Sequence, residues 1–161
     1  MRLYVIPFGL AFLGLTAAAR ADDAGQKAAM IQKDYDALTG RWQLVKFVVD
    51  GKPVPEEGVR QTVLITDHDT FRFPEDAGVG TAPLGRFTID PTTNPKQVDS
   101  TSLGGPNKGE VTLGIYEVID ANNKRACWGR PGGPRPTDFT STPGSGRTLQ
   151  YWRLINKDPG K

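Results

Sequence analysis

Thr39-Gly40-Arg41-Trp42-Gln43-Leu44-Val45-Lys46-Phe47-Val48-Val49-Asp50-Gly51 marks the point at which the chain changes character. Thr39-Gly40 ends a helical pattern, glycine being a natural helix terminator. Arg41 to Val49 is rich in Val, Phe and Trp, side chains that suit a pleated, half-buried strand. Asp50-Gly51 is a hairpin-type turn signal. Trp42 and Leu44 share one face of this run, whereas Val45, Phe47 and Val49 share the other. Two explanations fit. Both faces are covered, the outer one by the N-terminal helix, or a β-bulge near Leu44 switches the faces.

Downstream, short apolar runs alternate with turn residues. Pro53 and Pro55 break the chain first. Gln61 to Thr66 and Thr70 to Phe73 read as strands around the turn Asp67-His68-Asp69. Leu84 to Ile89, Lys96 to Ser100, Glu110 to Ile119, Lys124 to Trp128 and Arg147 to Ile155 follow, separated by Pro91 to Pro95, Leu103 to Gly109, Asp120 to Asn123 and Gly129 to Gly146. With Arg41 to Val49 that makes eight strands at regular spacing, the pattern of an all-β meander. Phe71/Phe73, Phe87/Ile89 and Val111/Leu113/Ile115 each repeat at period two, as half-buried strands do. Upstream, Ala28, Ala29, Ile31, Gln32, Tyr35 and Leu38 fall at spacings near three and four. Their apolar stripe is narrow, so this helix lies on or caps something else. The expected fold is mainly β: an eight-stranded antiparallel barrel, with a β-sandwich as the alternative, preceded by one short N-terminal helix.

The first residues read as an export signal. Arg2 gives a positive start, Leu3 to Leu15 is uncharged and apolar, and Ala19-Arg20-Ala21 fits a small-x-small cleavage site. The run is shorter than a spanning helix needs and carries Pro7, Gly9 and Gly14. The expected organisation is a signal peptide over 1–21, a helix over 22–38 and a barrel domain over 39–157. The localisation that follows is exported, periplasmic or extracellular, with no membrane span after cleavage. Removing residues 1–21 takes away Arg2 and Arg20 and no acid, leaving 18 basic against 18 acidic residues. The excess of positive charge therefore belongs to the leader, and no nucleic-acid partner is expected. Cys127 is the only cysteine, so no internal disulfide can form and the fold must rely on packing. In Arg125-Ala126-Cys127-Trp128 it reads as a small buried apolar residue rather than a reactive thiol.

No catalytic constellation stands out. His68, the only histidine, sits in a polar hairpin tip, where Asp and His are ordinary turn residues. One His and one Cys far apart offer no metal-ligand spacing, so neither metal nor cofactor is expected. Glu56-Glu57 reads as a solvated loop, and Asp34 and Asp36 as the wet face of the helix. Glu117 shares the face of Ile115, which allows it to point inward; the alternative is a strand-end acid paired with Lys124 or Arg125. Gly104 to Gly109 lacks phosphate-loop spacing. Gly129 to Gly146, with Arg130, Arg135 and four prolines, is a long connection of the kind that often carries function or closes a barrel. Phe139 is read as a plug for the barrel and Arg135 either as a guanidinium offered to a ligand carboxylate or as the partner of an internal acid such as Glu117.

Gly40-Arg41-Trp42, a Gly-x-Trp opening the first strand after a short helix, resembles the lipocalin and calycin superfamily of eight-stranded barrels. In that superfamily the Trp closes one end and a basic residue of the last strand packs over it. The resemblance implies that role for Gly40, Trp42 and Arg153. Leu38-Thr39-Gly40-x-Trp42, Asp50-Gly51-Lys52, Asp90-Pro91, Asn94-Pro95-Lys96, Gly109, Gly114-Ile115-Tyr116-Glu117, Cys127, Arg135-Pro136-x-x-Phe139 and Gly144-Ser145-Gly146 together look like a narrower group. This is the uncharacterised, exported small-domain family abundant in planctomycete-type bacteria, lipocalin-like in description. Asp120-Ala121-Asn122-Asn123 departs from its usual Asp-Gly-Asp turn. The resemblance implies a fold and a compartment, and no activity. The expected function is a lipocalin-like binding module for a small apolar or amphipathic ligand, with Trp42, Phe71, Phe73, Phe87, Ile115, Tyr116 and Arg135 as the candidate binding residues. The alternative is a domain with a filled core that binds a protein of the cell envelope. Enzymatic activity is not expected; a hydrolase is the remaining alternative.

Overall fold

The structure, a computed structural model, describes residues 15–74 and 84–160. α1 (Leu15–Leu38) leads into β1 (Gly40–Val49), the two-residue β2 (Lys52–Pro53) and a short α2 (Glu56–Arg60). β3 (Val63–Asp67), β4 (Thr70–Arg72), β5 (Gly85–Asp90), β6 (Lys96–Ser102), β7 (Val111–Asp120), β8 (Asn123–Trp128) and β9 (Thr148–Asn156) follow. From β3 onward each strand pairs antiparallel with its sequence neighbours. β9 returns to β1, from Arg41↔Asn156 to Val49↔Thr148, and β1 also pairs β3. β1 and β3 to β9 thus close an eight-stranded up-and-down barrel, and closure removes the sandwich alternative. β2 is the extra strand, folded back on β1 through Asp50-Gly51, both at positive φ (47° and 78°).

The mixed pattern of the first strand is a β-bulge. The β1–β9 register shifts between Leu44 and Lys46, and this turns both Leu44 and Phe47 toward the interior. The seam between β1 and β3 is short, only Gly40↔Thr66 to Gln43↔Val63. α2 lies beside it, with Val59 packed into the cluster of Trp42, Leu44 and Trp152. The Gln43 side-chain amide spans the gap, donating to the carbonyls of Arg60 at 2.9 Å and Thr62 at 3.0 Å.

α1 does not lie on the outer face of β1. It starts at Leu15, earlier than Asp22, as its alanine-rich sequence favours. From Asp22 to Met30 its residues are exposed. Only its last two turns are buried, with Tyr35 and Leu38 packed against Phe87, Ile89, Val98 and Tyr116. The helix therefore plugs one end of the barrel. Residues 1–14 of the expected leader lie outside the described residues.

A second core sits outside the barrel. Ile115, Cys127 and Leu149 alternate with inward-facing neighbours and form a cluster with Val48, Phe139 and Tyr151. The connection from Gly129 to Arg147 covers this face as a strap, with Pro136 fully buried in it. Arg135 Nη1 donates to the carbonyls of Gly114 at 2.8 Å and Val98 at 3.1 Å. It also lies 2.5 Å from Asp99 Oδ1, an ion pair rather than an aligned hydrogen bond. Arg125 stacks on Phe139, its guanidinium carbon 4.1 Å from the ring centre. Phe139 is thus part of the outer strap and does not plug the barrel.

Candidate functional site

Inside the barrel is a cavity of about 640 Å3, open to solvent and lined mainly by apolar side chains. Alternation along each strand fills its wall. Leu44 and Phe47 come from β1, Leu64 from β3, Phe71 from β4, Phe87 from β5 and Val98 from β6, with Phe73 just beyond β4. Trp128 of β8 and Trp152 of β9 complete the aromatic lining. Both indole N–H groups point at Gln150 Oε1, 3.3 Å away in each case, so a polar group inside the wall satisfies both rings. The register sets Ser100 opposite Thr112, and these small hydroxyl residues keep the middle of the cavity wide. Gly114 serves the same wall: a Cβ there would lie 2.5 Å from the Trp128 ring. Val54, Gly58, Phe73, Gly129 and Pro131 line the mouth, at the end away from α1.

The floor is built around the last carbonyl of α1. Leu38 O accepts from Trp42 Nε1 at 2.8 Å, Thr66 Oγ1 at 2.5 Å and Lys124 Nζ at 3.3 Å. Unpaired carbonyls at a helix C-terminus carry partial negative charge, which favours donors and cations there. Lys157 Nζ satisfies the neighbouring carbonyls of Asp36, Ala37 and Thr39. Trp42 is fully buried, with Lys124 Nζ 4.0 Å and Lys157 Nζ 5.5 Å from its ring centre. Gly40 is required beside it: its φ is +137°, and a Cβ would sit 2.7 Å from Asn156 O. Burial, reinforced by the charge of Lys157, holds the Lys124 amine well below the ordinary lysine range. Burial lowers Lys157 too, opposed by Asp36.

Phe71, Phe73, Phe87 and Tyr116, expected as binding residues, are brought together on the cavity wall. Trp42 lies in the floor and is absent from the wall. Ile115 faces outward under the strap because its neighbours Gly114 and Tyr116 take the inward positions. Arg135 is outside the barrel as well, bound to Asp99 and to backbone carbonyls, and not to Glu117. Glu117 instead pairs across the hairpin with Arg125, at 2.5 Å. The cation expected over Trp42 from Arg153 comes from Lys124. Trp152 occupies the inward position of β9, and alternation sends Arg153 out to solvent.

Asp34, expected on the wet face of α1, is buried and anchors the plug. Its Oδ2 accepts from Tyr116 Oη and Lys96 Nζ, both at 2.6 Å. Burial and the Asp34 carboxylate together raise the Tyr116 phenol pKa. His68 occupies its turn at φ +48° and stacks on Tyr35, with ring centres 4.4 Å apart. Cys127 is buried beneath the strap, its thiol within 3.4 Å of Thr140 O, and burial pushes its pKa up. Among the described residues no group of three or more His, Cys, Asp or Glu could hold a metal ion, and no helix is long and apolar enough to cross a membrane. Lys124, Trp128, Gln150 and Trp152 are the site residues that sequence reasoning missed. Their legible signal is alternation: Lys124, Ala126 and Trp128 in β8, and Thr148, Gln150 and Trp152 in β9. No family model, no curated protein and no solved structure matches this chain.

Proposed function

We propose that this protein is an exported, lipocalin-like binding module that holds a small apolar or amphipathic molecule inside its barrel. One observation carries the reading: an open cavity of about 640 Å3 runs through the barrel, within the roughly 300–1,000 Å3 of small-molecule sites. Its chemistry suits such a guest. The wall is mainly aromatic and aliphatic, with a few polar groups: Thr66 and Lys124 at the floor, Ser100, Thr112 and Gln150 at mid-wall, and Thr62 and Thr148 toward the mouth. The alternative, an envelope-interaction domain, was tied to a filled core, and a hollow barrel favours a guest. A binding role is also preferred to a hydrolytic one. Cys127 lies under the strap and Glu117 is paired with Arg125, so neither stands in the cavity. Export rests on the leader-like start of the sequence and on the resemblance described above.

The test uses N-phenyl-1-naphthylamine, a neutral fluorophore that brightens in apolar surroundings. Trp128 and Trp152 line the cavity, so a probe bound there quenches tryptophan emission. Saturable binding of one probe per chain, with loss of tryptophan emission, is expected. A probe that stays dim at saturating protein would sink the reading.

A further inference from the structure

We propose that the guest is an uncharged, apolar ring compound bearing a carbonyl group, whose oxygen accepts a hydrogen bond from Gln150 Nε2 at mid-wall. This rests on the barrel-binding reading and names the class of molecule the barrel takes.

Gln150 is turned inward by alternation along β9, since Leu149 and Tyr151 on either side of it belong to the outer cluster under the strap. Its neighbours on the inner face are Trp152, two places on in the same strand, and Trp128 of β8, which pairs with Thr148. Both indoles aim their N–H at Gln150 Oε1, with nitrogen and oxygen 3.3 Å apart in each case. An indole N–H can only donate, and so can an amide NH2. The oxygen must therefore face the two rings, because a flipped amide would set donor against donor. The double contact locks the amide and turns its NH2 away from the indoles. Bracing the rings uses the oxygen alone. Among the described residues no acceptor takes a hydrogen from Nε2. A donor left unpaired in an apolar site is costly, so the wall calls for an acceptor at this point.

The other polar groups of the cavity do not make the same demand. Thr66 Oγ1 and Lys124 Nζ are bound to Leu38 O, and Thr62 Oγ1 donates to Gly58 O. Ser100, Thr112 and Thr148 offer hydroxyls, which both donate and accept and so select neither kind of group. Gln150 Nε2 only donates and is held in place, so it selects. A carbonyl oxygen answers it with lone pairs, brings no hydrogen to clash with the NH2 and carries no charge into the apolar wall. The two indoles beside the amide, with Phe71 and Phe87, offer ring faces and edges to a planar guest.

The experiment compares fluorenone with fluorene as competitors of N-phenyl-1-naphthylamine, on the full chain and on Gln150→Met. The two compounds share one ring frame and differ only in a carbonyl in place of a methylene. Fluorene is the more hydrophobic, so burial alone ranks it first. On the wild type, fluorenone should instead compete roughly three- to tenfold better, the value of one hydrogen bond between neutral groups. Methionine keeps the length of the side chain and removes the donor, and Gln150→Met should abolish the preference. In NMR spectra of the wild type, one proton of the Gln150 side-chain NH2 should move downfield with fluorenone and not with fluorene. This readout needs no variant, so a poorly folding Gln150→Met does not blunt the test. Fluorene competing as well as fluorenone or better, a preference that survives Gln150→Met, or an NH2 signal that responds alike to both compounds overturns the proposal and leaves the barrel-binding reading intact. A probe that never binds sinks the barrel-binding reading instead.

Discussion

Lys124 makes folding depend on pH in a direction that can be worked out. Its folded-state pKa is depressed by burial and by Lys157, and in the unfolded chain it returns to the ordinary value, about 10.4. Between those two values the unfolded chain binds more protons than the folded one, so stability rises with pH. The contribution is fully favourable above the unfolded value and is lost as pH falls toward the folded value. Lys157, also depressed, adds in the same sense. Tyr35 and Tyr116, with raised pKa values, act oppositely only near and above pH 10. Urea unfolding of the wild type should therefore show stability that increases as pH rises toward the unfolded value, with a smaller rise in Lys124→Met. Equal slopes in the two proteins would show that the amine is not desolvated. This residue was hard to find by reading. A lysine directly after the turn Asp120 to Asn123 looks like a solvated cross-strand partner for Glu117, and only barrel closure turns it inward. Gly40 and Trp42 were legible through the Gly-x-Trp pattern and what its resemblance implies, and the positive φ of Gly40 at the strand start agrees with it.

The strap from Gly129 to Arg147 shows where strand-level reading succeeds and where it fails. Turn residues punctuate the chain so regularly that all eight barrel strands could be placed, and of the two explanations for the mixed faces of Arg41 to Val49 the bulge is the one β1 contains. The inward face of β7 was misjudged. Val111, Leu113 and Ile115 are the larger aliphatic set, while Thr112, Gly114 and Tyr116 face the cavity. Hydrophobic alternation reports burial, and here the outer face is buried by a segment that has no periodicity of its own. The strap should therefore behave as a separable cover. Arg135 ties it to Gly114, Val98 and Asp99, and Cys127 lies beneath it. Native Cys127 should resist a thiol reagent such as dithiobis(nitrobenzoate). In Arg135→Ala, losing hydrogen bonds to a charged group costs about 1.5–3 kcal/mol, and labelling should accelerate by roughly 10- to 100-fold if the strap opens on its own. Far-UV circular dichroism should stay that of the barrel. Wild-type labelling as fast as in denaturant would contradict the covered position.

At the scale of the molecule, the barrel is sealed around its girth by β1–β9 pairing and at one end by α1, which leaves the mouth as the way in. Such a vessel is stabilised by what it holds. A ligand that binds only the folded state adds about 2.7 kcal/mol at a concentration one hundred times its Kd. For a chain of this size each kcal/mol raises Tm by about 2–4 °C. Filling the vessel from within should uncouple the two effects. Thr112 faces the cavity at mid-wall, opposite Ser100, with open space ahead of it. Thr112→Phe puts a ring into that space, removes a hydroxyl from an apolar wall and adds dispersion contacts where the empty barrel has none. Its Tm without ligand should equal or exceed that of the wild type. It should no longer bind N-phenyl-1-naphthylamine, and its Tm should not respond to the probe. Val111→Phe, one residue away on the exposed outer face, is the matched control and should bind as the wild type does. The pairing separates a guest inside the barrel from one on its surface: a surface site would survive Thr112→Phe, whereas an interior site cannot.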